Sequence, residues 1–167
     1  MGERLTKEDI AKIEEEIEMR KTELRPKLLE DLKSAREQGD LSENFEYYAA
    51  KRAKNKNESR IRYLERIIAG ADILEDTLKA DQAGVGKIVK IYIEDDDCEE
   101  EYRIVTSMRA DSIHDIVSIE SPLGKALIGH KVGDRVYVQV KQDFGYYVVI
   151  REISIDENSD DIAIREY

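Results

Sequence analysis

The sequence predicts an α+β protein: an N-terminal antiparallel helical hairpin (a coiled coil, residues 1–79) followed by a mainly antiparallel β domain with a short helix, residues 80–167. Apolar residues of the first half recur at the three- and four-residue spacings of a helix. Those of the second half alternate with polar residues, which is typical of strands. Because the pattern changes around Asp81-Gln82-Ala83-Gly84, we place the domain boundary just before this segment.

The first helix is predicted from Lys7 to Glu37, and its 31 residues would span roughly 45 Å. Thr6 is the predicted N-cap. Pro26 removes one main-chain hydrogen bond, and we expect it to kink the helix without ending it. The apolar stripe of this helix consists of Ile10, Ile13, Ile17, Leu24, Leu28, Leu32 and Ala35. A rod this long and thin cannot enclose a core, so we interpret it as a device for reaching a partner.

Gly39 favours the end of the first helix, and the second is predicted to start near Asp40 and to end near Gly70. Its predicted stripe consists of Phe45, Ala49, Ala53, Ile61, Leu64 and Ile68. Two long helices joined by so tight a turn must lie antiparallel.

The second half contains five β-rich segments, separated by the acidic run 94–101 and by turn residues. The predicted strands are Val85–Ile93, Tyr102–Thr106, Asp115–Ile119, Arg135–Val140 and Tyr146–Ile155. Lys125–Ile128 is the short helical candidate.

Charge is unevenly distributed over this chain of net charge −11. Residues 81–167 hold 10 Lys+Arg against 19 Asp+Glu, a net of −9. The stretch 51–66 holds seven basic residues against two acidic ones, a net of +5. Because salt screens charges beyond about 8–10 Å, this local basic patch can contact phosphates on an acidic protein.

Several classes of site and location are disfavoured by the residues present. A single cysteine, Cys98, excludes an internal disulfide, and the acidic run around it should raise its pKa. His114 and His130 are far apart and lack neighbouring ligands at metal-site spacing. The run Asp95–Glu101 lacks the ligand pattern of an EF-hand loop. We see no signal peptide or membrane span, so we expect a cytoplasmic protein.

The hairpin tip holds two acidic residues, Asp40 and Glu43, three positions apart. One interpretation is a capping box, in which both carboxylates satisfy amides of the first helical turn. The other is that the rod presents two carboxylates to a partner. Two carboxylates alone hold Mg²⁺ poorly, so the partner would have to supply further ligands.

Long motifs resemble the GreA/GreB family of bacterial transcription elongation factors. They are Leu24-Arg25-Pro26, the tip run from Ala35 to Tyr47 with Ala49-Ala50-Lys51, Tyr102-Arg103-Ile104-Val105, and Ile119-Glu120-Ser121-Pro122-Leu123-Gly124 continuing to Gly129, with Val132-Gly133-Asp134. The resemblance covers nearly the whole chain in order. It implies an FKBP-like fold for the C-terminal domain, and a length and basic patch that favour the GreA branch.

The resemblance also implies roles. The C-terminal domain would dock on the rim of the secondary channel of bacterial RNA polymerase through Ser121, Pro122, Leu123 and Gly124. The hairpin would enter the channel, where Asp40 and Glu43 would help to hold a catalytic Mg²⁺ shared with the polymerase. Arg36, Lys51 and Arg52 would contact the backtracked nascent RNA. The chain would not be an enzyme itself; it would stimulate the polymerase's own RNA cleavage and rescue arrested complexes, and it would hold no cofactor stably alone.

The sequence departs from the family's pattern near the tip and in its acidic tail. Phe45 and Tyr48 stand where the family usually has a smaller residue and a histidine, which bears on fine specificity. Three alternatives are open for the acidic tail 156–167: an extra strand, a solvated tail or a contact. Two alternatives remain for function: a Gre-homologue inhibitor that occupies the same channel, or a structural helical-hairpin adaptor whose tip acids are only caps.

Overall fold

The computed structural model describes residues 2–39, 44–75, 77–110 and 115–166. The chain divides into two units. The first consists of Met1–Gly2 and Glu8–Asp72, and the second of Glu3–Lys7 and Ile73–Tyr167. No helix in the described ranges is long and apolar enough to cross a membrane.

The first limb of the hairpin is continuous across Pro26. Helix α1 (Lys7–Met19) passes into a π-helical turn (Arg20–Leu24) and then into α2 (Arg25–Arg36). In the π turn the amide of Arg25 donates to the carbonyl of Arg20, five residues earlier. The wider turn immediately precedes the position at which Pro26 cannot donate, so the helix continues. The prediction that Pro26 does not end the helix is confirmed.

The second limb, α3 (Phe45–Ala69), begins five residues later than predicted. Asn44 is its N-cap, in extended conformation, and its side chain accepts a hydrogen bond from the amide of Tyr47. Gly39 after α2 has φ of 110°, a left-handed conformation that suits glycine. Gly70 is the C-cap of α3, as predicted.

The buried face of α3 differs from the predicted stripe near the tip. Ile61 and Leu64 are buried and Ile68 is half-buried, as predicted. Phe45, Ala49 and Ala53 are exposed, so this part of the prediction was wrong. The face that is buried or half-buried instead consists of Tyr47, Ala50, Lys54, Asn57, Ile61 and Leu64. The prediction followed apolar residues alone, whereas the inner face also includes the polar residues Lys54 and Asn57.

The second unit contains a five-stranded sheet of β3 (Lys87–Ile93), β4 (Cys98–Val105), β5 (Ile116–Ser118), β6 (Arg135–Lys141) and β7 (Phe144–Ile155). The order of the strands in the sheet is β5-β4-β3-β7-β6. All neighbours are antiparallel except β4 and β5, which are parallel. Two short strands, β1 (Arg4–Leu5) and β2 (Asp72–Ile73), form a separate two-stranded sheet.

One face of the large sheet forms the core together with α4 (Pro122–Leu127). The alternating residues Val89, Ile91 and Ile93 of β3 point into it, and Leu123 and Leu127 of α4 cover them. The predicted short helix exists but begins three residues earlier than expected. The predicted class, a helical hairpin followed by a mainly antiparallel β domain with a short helix, is therefore confirmed.

The acidic tail beyond β7 packs on its own unit. Asp156 is 5% exposed and accepts two hydrogen bonds from the guanidinium of Arg103, at 2.7 and 3.2 Å. Ile162 is buried, and the amide of Arg165 donates to the carbonyl of Met108. Among the three alternatives for the tail, the described residues 156–166 form a contact that includes one short 3-10 turn, Ser159–Asp161.

Candidate functional site

The tip acids Asp40 and Glu43 lie outside the described residues, but both neighbours of the segment 40–43 are described. On one side, α2 ends at Arg36, with Glu37 as its C-cap. On the other, the side chain of Asn44 bonds in two directions. Its amide donates to the carbonyl of Ala35 at 2.7 Å, and its oxygen accepts from the amide of Tyr47 at 3.0 Å. One residue therefore caps α3 and ties it to α2 beside the tip.

This cap bears on the capping-box interpretation of the tip acids. That interpretation needed α3 to begin at Asp40, with Glu43 in its third position. Because α3 begins at Phe45 and Asn44 supplies its cap, the helix does not require Asp40 for this purpose. Among the described ranges, no group of three or more His, Cys, Asp or Glu side chains is arranged to hold a metal ion.

The predicted RNA-contacting residues lie near the tip on both limbs. Arg36 is the last residue of α2, and its guanidinium carbon lies 5.7 Å from the ring centroid of Tyr47 on α3. Lys51 follows Tyr47 by one helical turn, so Arg36 and Lys51 flank the same tyrosine. Lys51 and Arg52 are both exposed, and within the described part of the chain neither forms an ion pair. Both charges therefore lie at the surface of α3.

Further from the tip, a partly buried polar network joins the limbs. The carboxylate of Glu16 accepts from Arg20 at 3.0 Å and from Arg60 at 3.0 and 3.3 Å. Arg20 also donates to the side-chain oxygen of Asn57 at 2.9 Å. Burial raises the pKa of Glu16, but the hydrogen bonds from Arg60 and Arg20 outweigh burial and lower the pKa below its ordinary value.

Two exposed or partly exposed ion pairs flank this network. Arg25 donates to both carboxylate oxygens of Glu58, at 2.8 and 2.9 Å, and Lys21 pairs with Glu65 at 2.5 Å. The hydrogen bond from Arg25 lowers the pKa of Glu58. Pairs that match only in one alignment of the limbs specify the register of the hairpin, and so the position of its tip.

The four predicted docking residues divide into two kinds. Leu123 is 9% exposed in the core, and Gly124 is buried with no space for a side chain, because a Cβ would lie 1.9 Å from the carbonyl oxygen of Ser118. Ser121 is the N-cap of α4. Its hydroxyl donates to the main-chain carbonyl of Ser118 at 2.6 Å and accepts from the amide of Gly124 at 3.1 Å. Pro122 is exposed. Only Pro122 offers its side chain fully to a partner.

Sequence reasoning missed a groove beside Pro122. It lies between α4 and the β6–β7 hairpin and has a volume of about 470 Å³. The lining residues are Pro122, Lys125, Ala126, Tyr137, Gln139, Val140, Lys141 and Gln142. The groove lies where α4 packs beside β6, the next element of the chain, and the pattern of residues in the sequence does not predict how these two elements pack.

The remaining candidate residues have ordinary surroundings. Burial, together with the carboxylates of Glu100 and Asp96, raises the pKa of the Cys98 thiol, in the predicted direction. Nδ1 of His130 lies 3.2 Å from Oδ2 of Asp134. His114 lies outside the described residues.

Known family models match both halves of the chain. The model for "Transcription elongation factor, N-terminal" matches residues 3–73, and that for "Transcription elongation factor, GreA/GreB, C-term" matches residues 78–154. The chain belongs to the GreA/GreB family of transcription elongation factors. The predicted resemblance is thereby confirmed.

The chain is also similar to individual proteins. The chain is 47% identical over 137 residues to transcription elongation factor GreA of Thermoanaerobacter pseudethanolicus, covering 81% of this chain and 87% of that one. It is 43% identical over 147 residues to GreA of Thermotoga maritima, covering 88% and 94%. A solved structure of GreA factor homolog 1 (Gfh1) of Thermus thermophilus matches with 26% identity and a TM-score of 0.43, covering 92% and 99%. Relatives with the GreA name do not favour the adaptor or the inhibitor.

Proposed function

We propose that this GreA/GreB family member enters the secondary channel of bacterial RNA polymerase and stimulates the cleavage of backtracked nascent RNA. The observation that carries the proposal is the pair of hydrogen bonds made by Asn44 beside the tip. They provide the helix cap, so the acids of the segment 40–43 are not needed for it. Hydrolysis belongs to the polymerase; the chain contributes groups to it and acts where the polymerase acts, in the cytoplasm.

Asp40 and Glu43 are the residues that would bind a metal ion. Carboxylate oxygens suit Mg²⁺, but two residues fall short of its octahedral set, so the polymerase would supply the other ligands. When bound there, such an ion activates water and stabilises charge on the scissile phosphate. The chain's own task is to deliver both carboxylates at the right depth, which the register-specific network of Glu16, Arg60 and Asn57 supports.

The basic residues near the tip would hold the displaced RNA. Arg36, Lys51 and Arg52 carry exposed charge, and contacts from such groups to phosphates are independent of base sequence. They would keep the RNA in place without selecting among transcripts, as a general rescue factor requires.

Docking on the channel rim would involve Pro122 and the groove beside it. The groove combines apolar surface from Pro122 and Tyr137 with the charge of Lys125 and Lys141. This composition suits a protein surface with apolar and acidic side chains. Ser121, Leu123 and Gly124 would act indirectly, by fixing the position of α4.

The test is an RNA cleavage assay on arrested polymerase complexes. We expect the wild-type chain to stimulate cleavage, and Asp40→Asn and Glu43→Gln to bind the polymerase normally while losing most of the stimulation. Glu37→Gln is the matched control, because it removes an exposed carboxylate from the last turn of the first limb. Binding without any stimulation by the wild-type chain would instead identify an inhibitor, and equal stimulation by all variants would exclude the assigned role of the tip acids.

A further inference from the structure

Two exposed aromatic side chains lie at the start of α3. Phe45 is 84% exposed and Tyr48 is 41% exposed. They are three residues apart and so lie on one face of the helix, and Arg52 continues that face one turn later. Tyr47 differs from both, since it is half-buried under Arg36.

Within the part of the chain that the structure describes, the packing of the hairpin does not account for these two rings. Asn44 starts the helix through its own hydrogen bonds, and the hairpin contact uses the other face of α3. Aromatic residues also have lower helix propensity than alanine. The ring of Tyr48 lies edge-on to that of Tyr47 with centroids 5.5 Å apart, which supports the orientation of Tyr48 but leaves part of it exposed.

The charges beside the rings limit the class of ligand. Lys51 and Arg52 are exposed on the same stretch of helix, in the segment 51–66 with a net charge of +5, on a chain whose total is −11. An anionic ligand is therefore attracted to this part of the chain in particular. Exposed aromatic rings next to cations are the surface on which single-stranded nucleic acids bind, with bases on the rings and phosphates at the cations.

We infer that Phe45 and Tyr48 form a stacking surface for unpaired RNA bases, with Arg52 and Lys51 at the adjoining phosphates. The identification of this RNA as the displaced end of a backtracked transcript rests on the proposed function. Residues at this helical spacing have Cβ atoms about 5–6 Å apart, so the two rings can engage consecutive nucleotides. Stacking depends on the face of a base and not on its edges, so this contact adds affinity with little sequence preference.

Binding of a labelled single-stranded RNA hexamer to the full-length chain tests the inference without the polymerase. Fluorescence anisotropy at low salt would compare the hexamer with an abasic hexamer that has the same phosphates. We expect the wild-type chain to bind the hexamer with bases about tenfold more tightly. The double variant with Phe45→Ala and Tyr48→Ala should bind both RNAs equally, at the abasic affinity.

Phe144→Ala is the matched control, because Phe144 is a 56%-exposed phenylalanine on the β domain, and it should retain the preference for bases. Equal affinity of the wild-type chain for both hexamers, or no binding to either, would overturn the inference. The two rings would then be assigned to a contact with a protein surface. A preference for bases in a chain that fails to stimulate cleavage would leave the stacking surface intact and refute the proposed function alone.

Discussion

Asn44 joins the two limbs of the hairpin by donating a 2.7 Å hydrogen bond to the main-chain carbonyl of Ala35. The same side chain accepts from the amide of Tyr47, so the first turn of α3 is capped and attached to the end of α2 by one residue. Ala35 precedes the tip acids in the chain and Asn44 follows them, so the two limbs are joined here by an interaction that involves neither acid.

Replacement of Asn44 tests this attachment. Asn44→Ala removes both hydrogen bonds, and we expect a loss of about 1–2 kcal/mol in helix stability, the usual effect of deleting an N-cap. Asn44→Asp keeps the acceptor for Tyr47 but has no donor for Ala35, so it should be intermediate. Hydrogen exchange at the amide of Tyr47 would measure the cap, and RNA cleavage would measure the position of the tip. Wild-type cleavage by Asn44→Asp would show that the bond to Ala35 is dispensable.

We predicted the start of α3 near Asp40 and did not consider Asn44, the residue that caps it. Asparagine and aspartate are equally good N-cap residues, so local preferences do not separate the two positions. The bond from Asn44 to Ala35 joins residues nine apart on different limbs, so it depends on the antiparallel packing itself. The inner face of α3 posed a similar problem. Asn57 is only 3% exposed because Arg20 satisfies it, and periodicity of apolar residues cannot identify a buried polar residue of this kind.

In the β domain the sequence located the strands better than their ends. The predicted Tyr102–Thr106 became β4, Cys98–Val105, because the acidic residues 99–101 pair with β3 while their side chains remain in solvent. Asp97, with φ of 48°, completes the preceding turn. The burial of Leu123 and Gly124 could not be predicted from the sequence either, because it depends on how α4 lies on the sheet.

The polar network of the hairpin should make its stability depend on pH. The pKa of Glu16 is lowered by folding, so its contribution is present above the ordinary value of 4.5 and is lost as the pH falls through the lower, folded value. Glu16→Gln leaves the buried Arg60, 6% exposed, with a weaker partner. At pH 7 we expect a loss of about 2 kcal/mol, the scale of a hydrogen bond to a charged group.

Urea unfolding followed by helical circular dichroism between pH 2.5 and 7 would test this prediction. The difference between wild type and Glu16→Gln should shrink on acidification, because the wild-type carboxylate becomes protonated. Glu14→Gln changes an exposed residue of the same helix and should behave as wild type at every pH. A difference that stayed constant with pH would mean that the charge of Glu16 is not what stabilises the hairpin.

Pro122 and Gly124 should respond differently to substitution although they are two residues apart. Pro122→Ala removes an exposed side chain at the groove, so we expect a normally folded protein with weaker polymerase binding. Its cleavage activity should return when the factor is added in excess. Gly124→Ala places a Cβ 1.9 Å from the carbonyl oxygen of Ser118, so the β domain itself should be destabilised.

Thermal unfolding and polymerase affinity, measured on both variants, would separate these effects. Unchanged affinity of Pro122→Ala would remove the groove from the docking surface. A Gly124→Ala protein as stable as wild type would mean that α4 can shift to admit the methyl group, and that its position is less constrained than the contact with Ser118 indicates.

Neutralising Lys51 and Arg52 should change which backtracked complexes are rescued, without abolishing cleavage. Both residues are exposed and, in the described part of the chain, without an ion pair, so their replacement by glutamine should leave the hairpin stable. Residues that hold RNA by its phosphates add affinity in proportion to the contacts made. A long displaced RNA reaches the basic residues and should lose more than a short one, which ends near the tip.

Cleavage rates for short and long backtracks, measured with this double variant over a salt series, would test the prediction. Because each phosphate contact releases counterions, the wild-type advantage on long RNA should decline as salt increases, and the double variant should show a smaller salt dependence. The matched control neutralises Lys27 and Lys33, exposed basic residues of the first limb, and should retain the wild-type preference. Equal losses for short and long RNA would indicate that Lys51 and Arg52 act on the polymerase and not on the displaced transcript.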